Sequence, residues 1–301
     1  MAAACAFVGI TTLDVIQRVS ERPRWGKKSV ADSVELAAGG PATNAAVTCA
    51  WLRGSAWLIG AVGSHAAAGP VVADLSEHGV LVHDCAQEGW VLPVASAIVE
   101  PDGERTVVST GALGTDGPRL TDAARAALHA STVVLLDGHH PGLGDAVMDL
   151  TRDRQLVVLD AGSAKPHAEQ WLSRIDVLAA SAGYATGLGD ELTAEDAIRH
   201  GLDRGCRAVV VTDGPGEIRW GSADGARGIV APPSVVAVDT LGAGDAFHGA
   251  LVAALAERPS LSSHDLPGCV RLAAEVAAVR VGSVGARAWM RRLPRWAPHD
   301  S

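Results

Sequence analysis

Three small residues followed by a carboxylate open the stretch of this 301-residue chain that is most able to do chemistry, 239-DTLGAGDAFHGALVAAL-255. Apolar residues persist for more than three turns after Asp245, so the spacing predicts a buried helix whose first turn carries Gly242, Ala243 and Gly244. Up to four N–H groups of such a turn have no partner inside the helix, and the helix dipole adds partial positive charge. Small side chains let a phosphate approach that backbone, and glycine permits the dihedrals a cradle needs. The result is an anion site that requires no lysine, in a chain that holds three, Lys27, Lys28 and Lys165. A carboxylate aimed at bound phosphate is repelled by it. Asp245 makes sense there as a general base, accepting the proton of an attacking hydroxyl while the N–H groups hold developing charge. A plainer reading also fits: Asp245 complements the helix dipole, and the glycines permit tight packing.

These residues need a scaffold, and the rest of the chain describes one. Apolar, β-branched runs recur at "CAFVGI" (5–10), "AWLIGAVG" (56–63), "TVVLLDG" (132–138), "LVVLDAG" (156–162), "DVLAAS" (176–181) and "AVVVTDG" (208–214). Between them lie Ala-rich stretches with helical spacing, such as "TDAARAALHA", "LGDAVMDLTRD" and "AEDAIRHGLDRG". Strands that are apolar throughout and alternate with helices predict an α/β fold, a doubly wound and mainly parallel sheet covered on both faces. Several runs end in Asp-Gly or a similar pair, at the carboxyl ends of strands where open α/β sheets bind ligands. Residues 14–38 and 90–110 instead alternate polar and apolar residues around turns such as Pro101-Asp102-Gly103, which predicts a small antiparallel sheet projecting as a lid. The whole chain, 1–301, reads as one such domain with its lid.

Bulk properties narrow the partners. A hydrophobic content of 48% supports a large core, and a formal charge of −9 opposes a nucleic-acid or anionic-membrane partner. Cys5, Cys49, Cys85, Cys206 and Cys269 are scattered and never form a C-x-x-C pair, as expected of reduced thiols in a cytoplasmic protein. The N-terminal "MAAACAFVGITTLDVI" lacks a basic n-region and reads as a first strand. No apolar run is long enough to span a membrane. The motifs of P-loop, dinucleotide-binding, zincin and α/β-hydrolase sites are missing.

The segment from Asp239 to Val252 resembles the C-terminal signature of the ribokinase-like (PfkB) carbohydrate kinases, D-T-x-G-A-G-D-x-F followed by small residues, with every position filled. "FVGITTLDVI" looks like that family's first strand and sugar-binding aspartate, here Asp14. "AAGGPATNAAVTCAWLRG" resembles its G-G-x-x-x-N-x-A motif, which implies sugar contacts at Gly39, Gly40 and Asn44. "SAIVEPDGERTVV" looks like the second lid segment and implies a substrate contact at Arg105. "VVVTDGPGE" resembles the strand and loop beside the nucleotide, implicating Thr212 and Gly214. The resemblance implies Asp245 as base, an anion hole at Gly242, Ala243 and Gly244, ATP with Mg2+ as phosphoryl donor, and a K+ site at Asp239 and Leu241. It further implies a doubly wound domain with a β-sheet lid, and a homodimer through that lid. Read alone, Asp14 equally caps a turn, Asn44 equally caps its helix, and Asp239 equally bonds its own turn.

The sequence also departs from the family. A common G-D-D/N-x-x-G appears as "GSHAAAGP" with Ser64 and His65 in place of acids, and an N-x-x-E motif appears as "SAGY" (181–184) without its carboxylate. The usual G-x-P ending is replaced by "GARAWMRRLP". His139 and His140 follow a strand end but point apart, which suits a turn better than a metal. Trp25 and Trp90 fall in the two lid segments. The expected reaction is ATP-dependent phosphorylation of a hydroxymethyl group on a small sugar or sugar acid. A nucleoside acceptor, or a homologue that binds without catalysis, are the alternatives.

Overall fold

The computed structural model describes residues 4–110, 117–151, 155–189, 191–258 and 260–295. Its strands are β1 (Ala4–Val8), β2 (Thr12–Arg18), β3 (Ser33–Gly39), β4 (Ala56–Gly60), β5 (Val80–Asp84), β6 (Val94–Val99), β7 (Arg105–Ser109), β8 (Ser131–Leu136), β9 (Leu156–Ala161), β10 (Val177–Ser181), β11 (Ala208–Thr212), β12 (Ile218–Ser222) and β13 (Arg227–Val230). Its α-helices are α1 (Pro41–Arg53), α2 (Ala68–Glu77), α3 (Asp122–Ala130), α4 (Pro141–Leu150), α5 (Ala182–Leu188), α6 (Ala194–Asp203), α7 (Ala243–Ala256) and α8 (Leu266–Val281).

All six apolar runs form strands of one nine-stranded sheet, ordered β13-β12-β11-β10-β9-β8-β1-β4-β5. From β11 to β5 every neighbouring pair is parallel. These strands are apolar on both sides because both faces are covered. Cys5 and Phe7 of β1 pack into the layer of α1, α7 and α8, while Ala6 and Val8 pack into the layer of α3, α4 and α6. Three strands were not foreseen, and all lie at or next to a sheet edge. β5 alternates a buried Val80 with an exposed Leu81, and β12 and β13 form an antiparallel hairpin turning at Gly225, φ 91°. An edge strand buries less, so its sequence carries a shorter apolar signal. Among the described residues no helix is long and apolar enough to cross a membrane.

The two alternating segments form a separate four-stranded sheet, β3-β2-β6-β7. It is mixed, not purely antiparallel: β2 and β6 run parallel. Both enter the lid from the carboxyl ends of parallel strands, β1 and β5, and so start out in the same direction. Strand alternation then sorts their residues. Asp14, Ile16 and Arg18 share one face of β2 with the paired Ala37, Glu35 and Ser33 of β3, and Val99 beside Arg18 pairs in turn with Arg105. Ile16, Ala37, Ala97 and Val99 are buried on that face with Ala286. The opposite face carries Leu36, Val15, Ser96 and Val108 in one row.

Two close approaches hold the site end together. A Cβ on Gly249 of α7 would lie 2.3 Å from the carbonyl oxygen of Ala45, so only glycine lets α7 touch the backbone of α1. Asp137, just past β8, accepts from the N–H groups of Ile10 (2.9 Å), Ala42 (3.2 Å) and His139 (2.9 Å), tying the start of α1 to the ends of β1 and β8.

Candidate active site

α7 starts at the predicted place. Gly242 is its N-cap in the left-handed region, φ 71° and ψ 15°, where a side chain would be strained. The N–H of Ala243 turns back to the Thr240 carbonyl at 3.3 Å. Among the described residues the N–H groups of Gly242, Gly244 and Asp245 have no such partner, so of the four donors only that of Ala243 is withdrawn. A Cβ on Gly244 would meet nothing within 4 Å, so its small size leaves open space before the helix mouth and serves no internal packing. The reading in which the glycines before Asp245 only permit packing does not fit Gly244.

Asp245 lies in the first turn of α7, and its Oδ2 accepts from Asn44 Nδ2 at 2.9 Å. Burial and the charge of Asp160 push its carboxyl up to about 6, against the Asn44 hydrogen bond and the nearby His248. A carboxyl poised near 6 can hold or release a proton close to neutral pH. Asn44 does not cap its helix. Gly40 is the N-cap of α1, and the backbone N–H of Asn44 bonds to Gly40 at 2.9 Å, leaving the side chain free to face α7. Its amide has one orientation: Arg287 Nη1 donates to Asn44 Oδ1 at 3.0 Å, and a guanidinium has no acceptor, so Nδ2 must be the end that meets Asp245. Arg287 is itself held, donating to the Ala38 carbonyl (2.6 Å) and to Asp74 Oδ2 (2.9 Å). Although burial opposes it, the hydrogen bond from His78 and the Arg287 charge keep Asp74 well below the usual carboxylate range.

Asp14 faces the same recess, which is also lined by Asn44, Leu241, Gly242, Arg280 and Arg287. Thr12 Oγ1 donates to Asp14 Oδ1 at 2.6 Å, and burial raises the Asp14 carboxyl in spite of that bond and of Arg287. The paired glycines explain how the carboxylate fits. A Cβ on Gly39 would fall 2.0 Å from Asp14 Oδ1, and one on Gly40, φ 100°, would fall 2.3 Å from the Ile10 carbonyl oxygen. Behind Asp245, one turn along α7, His248 Nδ1 sits 3.1 Å from Asp160 Oδ2, both side chains being buried. Burial opposes charge on each, but the pair prevails: His248 is raised and Asp160 lowered. Neither residue was singled out from sequence, although a histidine inside the otherwise apolar "AFHGALVAAL" was a signal.

Other predicted residues lie around this centre. Arg105 of the lid donates to Thr240 Oγ1 at 2.5 Å, next to the anion loop. Thr212 ends β11 with its hydroxyl on the Ala180 carbonyl (3.3 Å), and Gly214 follows at φ 51° with nothing within 4 Å of its Cβ position. Asp239 does not offer a free carboxylate to K+. Its Oδ2 is held by Arg18 Nη2 at 2.6 Å and lies 3.3 Å from Arg280 Nη2, while Oδ1 accepts from the Leu241 N–H at 3.0 Å. The "SAGY" tyrosine, Tyr184, is buried and donates to Glu169 Oε1 at 3.1 Å. His140 is buried against Trp90, ring centroids 5.9 Å apart, and burial with the neighbouring His139 lowers it to about 4; Trp25 is fully exposed in the lid.

Comparison with known proteins agrees with this geometry along nearly the whole chain. Residues 2–292 match the model of the pfkB family carbohydrate kinases. A ribokinase of Bacillus subtilis (strain 168) is 24% identical over 287 residues, covering 94% of each chain. Among solved structures, the ribokinase of Giardia lamblia superposes with a TM-score of 0.83 at 20% identity, over 97% of both chains. The Arabidopsis thaliana ribokinase complexed with ribose and ATP gives a TM-score of 0.79 at 22% identity, over 98% of this chain and 96% of that one. A family match of that length, on a chain whose α7 mouth unites Gly242, Gly244, Asp245 and Asn44, has one outcome: this protein belongs to the pfkB family of carbohydrate kinases, phosphotransferases whose acceptor is an alcohol group.

Proposed function

We propose that this chain transfers the terminal phosphoryl group of ATP to a hydroxymethyl group of a small sugar or sugar acid. The observation that carries the reading is Asp245, a carboxyl raised to about 6 and aimed by Asn44 beside the open mouth of α7. Asp14, Gly39, Gly40 and Asn44 orient the acceptor, with Arg105 closing over it from the lid. Asp245 takes the hydroxyl proton as that oxygen bonds to the γ-phosphorus, and the bond from phosphorus to the ADP oxygen breaks. Developing negative charge lies before the N–H groups of Gly244 and Asp245 at the positive end of α7, with Gly242 giving the turn its shape. Thr212 and Gly214 border the nucleotide.

Among the described residues no three His, Cys, Asp or Glu side chains are placed to hold a metal. Mg2+ carried on the phosphates of ATP would supply charge neutralisation to the transferring group. The lid's outer face supports a homodimer, since Val34, Leu36 and Val108 are 61%, 52% and 69% exposed on one small sheet. Five free, buried cysteines suit a reducing cytoplasm.

The test is ADP release from MgATP by the full chain against a panel of pentoses, ketoses, sugar acids and nucleosides. Turnover with a sugar or sugar acid is expected. Turnover with adenosine alone would move the acceptor to nucleosides, and no turnover with any polyol would overturn the kinase reading.

A further inference from the structure

The segment that carries the anion loop is anchored by a buried arginine. Arg280, in the last turn of α8, is 3% exposed, and Asp239 beneath the loop is 1% exposed. Arg280 Nη1 donates to the carbonyls of Ser283 (3.1 Å) and Asp239 (3.4 Å), and Nη2 lies 3.3 Å from Asp239 Oδ2. Two backbone carbonyls and a carboxylate thus converge on one dry point, the kind of oxygen set that strips and holds a monovalent cation. Here the point is filled by a group that carries its charge permanently and brings five donors in a fixed fork. Arg18 of the lid adds a second guanidinium on Asp239 at 2.6 Å. A diffusing ion would have to evict Arg280 from a buried pair, and breaking such a pair is costly.

We propose that Arg280 is the resident cation of this site, standing where the resemblance implied K+, so that phosphoryl transfer by this chain needs no monovalent ion. The inference rests on the proposed kinase reading for its activity readout alone. The chain of contacts shows how the charge acts: Arg280 holds Asp239, Asp239 holds the Leu241 N–H at 3.0 Å, and Gly242 follows as the cap of α7. Arg280 is a positioning residue, acting on the loop through Asp239.

Full-length protein is assayed in choline, sodium and potassium chloride at equal ionic strength. Rates within about twofold of one another are expected, and activation of about tenfold by K+ overturns the proposal. In Arg280→Ala, turnover falls by about 10- to 100-fold and is partly restored by guanidinium or K+ but not by choline; a variant that folds and answers to no cation also overturns it. Melting temperature supplies a readout free of catalysis. The unaltered chain should melt alike in the three salts, because only an ion that binds the native state raises Tm. A rise specific to K+ sinks the proposal even if no acceptor is phosphorylated, a result that would defeat the kinase reading separately. If Arg280→Ala does not fold, Arg280→Lys is used in its place, and both salt series on the unaltered chain still decide.

Discussion

The two halves of the site are held by different forces. At the mouth of α7 the fit is backbone against backbone: Gly249 presses on Ala45, Gly40 on Ile10, and Gly39 leaves room for the Asp14 carboxylate. On the lid side the fit is made by long side chains reaching across. Arg18 spans to Asp239, Arg105 to Thr240, and Glu35 accepts from the Ala286 N–H at 3.0 Å. Packed backbones move little, because interiors are close-packed and tolerate few rearrangements. Where contacts between long side chains are exposed, as between Arg105 and Thr240, they exchange for water at small net cost, whereas the Arg18 pair with buried Asp239 does not. Under the proposed function, Asp245 is therefore a preorganised base, while the small sheet is held over it mainly by side-chain contacts.

This contrast can be broken from either side, and the largest effect lies in the packed half. Asp245→Asn keeps the geometry and removes the proton acceptor, so kcat should fall by about a thousandfold or more while ADP affinity changes little; equal losses in both would point to a structural role. Gly249→Val should cost about 2 kcal/mol or more in unfolding free energy, since its Cβ would lie within 2.3 Å of a carbonyl, and should separate Asn44 from Asp245. Denaturant melts alongside kcat report both. Asn44→Leu removes the hydrogen bond that lowers the Asp245 pKa. A base must be deprotonated, so kcat/KM falls as pH drops through about 6 in the unaltered chain, and in Asn44→Leu that acid limb should move to higher pH. A limb that stays in place would remove Asn44 from the tuning of the base. The smallest effect belongs to the lid: Arg105→Ala should raise the acceptor KM by about three- to tenfold with kcat within about twofold. A collapse of kcat there would mean that the lid is as preorganised as the core.

Legibility in the sequence followed the same division. The parallel sheet was readable because strands covered on both faces are apolar at every position, and β1, β4, β8, β9, β10 and β11 fall on the six runs. The strands at or next to the sheet edges, β5, β12 and β13, were not readable, since the outermost pair on one side and β5 on the other bury less apolar surface. Asp245, Gly242 and Gly244 sit in one contiguous motif, so the roles proposed for them could be drawn from a single stretch of sequence. Arg287, and Asp74 with His78 one turn further along the same helix, set Asn44 from two segments distant from it and carry no local signal. Arg280 did leave a trace, as a charged residue within the apolar "AAEVAAVRVG". The string alone cannot say that this charge meets Asp239.

The order of apolar runs and helical spacings determined the α/β architecture, because burial on two faces leaves few other ways to place such strands. The small residues before Asp245 determined where an anion can sit, since a helix start exposes its N–H groups whatever the tertiary context. Tertiary structure decided what the neighbouring charges do. Asp239 reads as a free carboxylate until α8 and the lid bring Arg280 and Arg18 to it, and Asp245 reads as an ordinary acid until burial and Asp160 of β9 raise it. Electrostatic character depends on groups distant in sequence and on the water excluded between them, and both exist only in the folded chain.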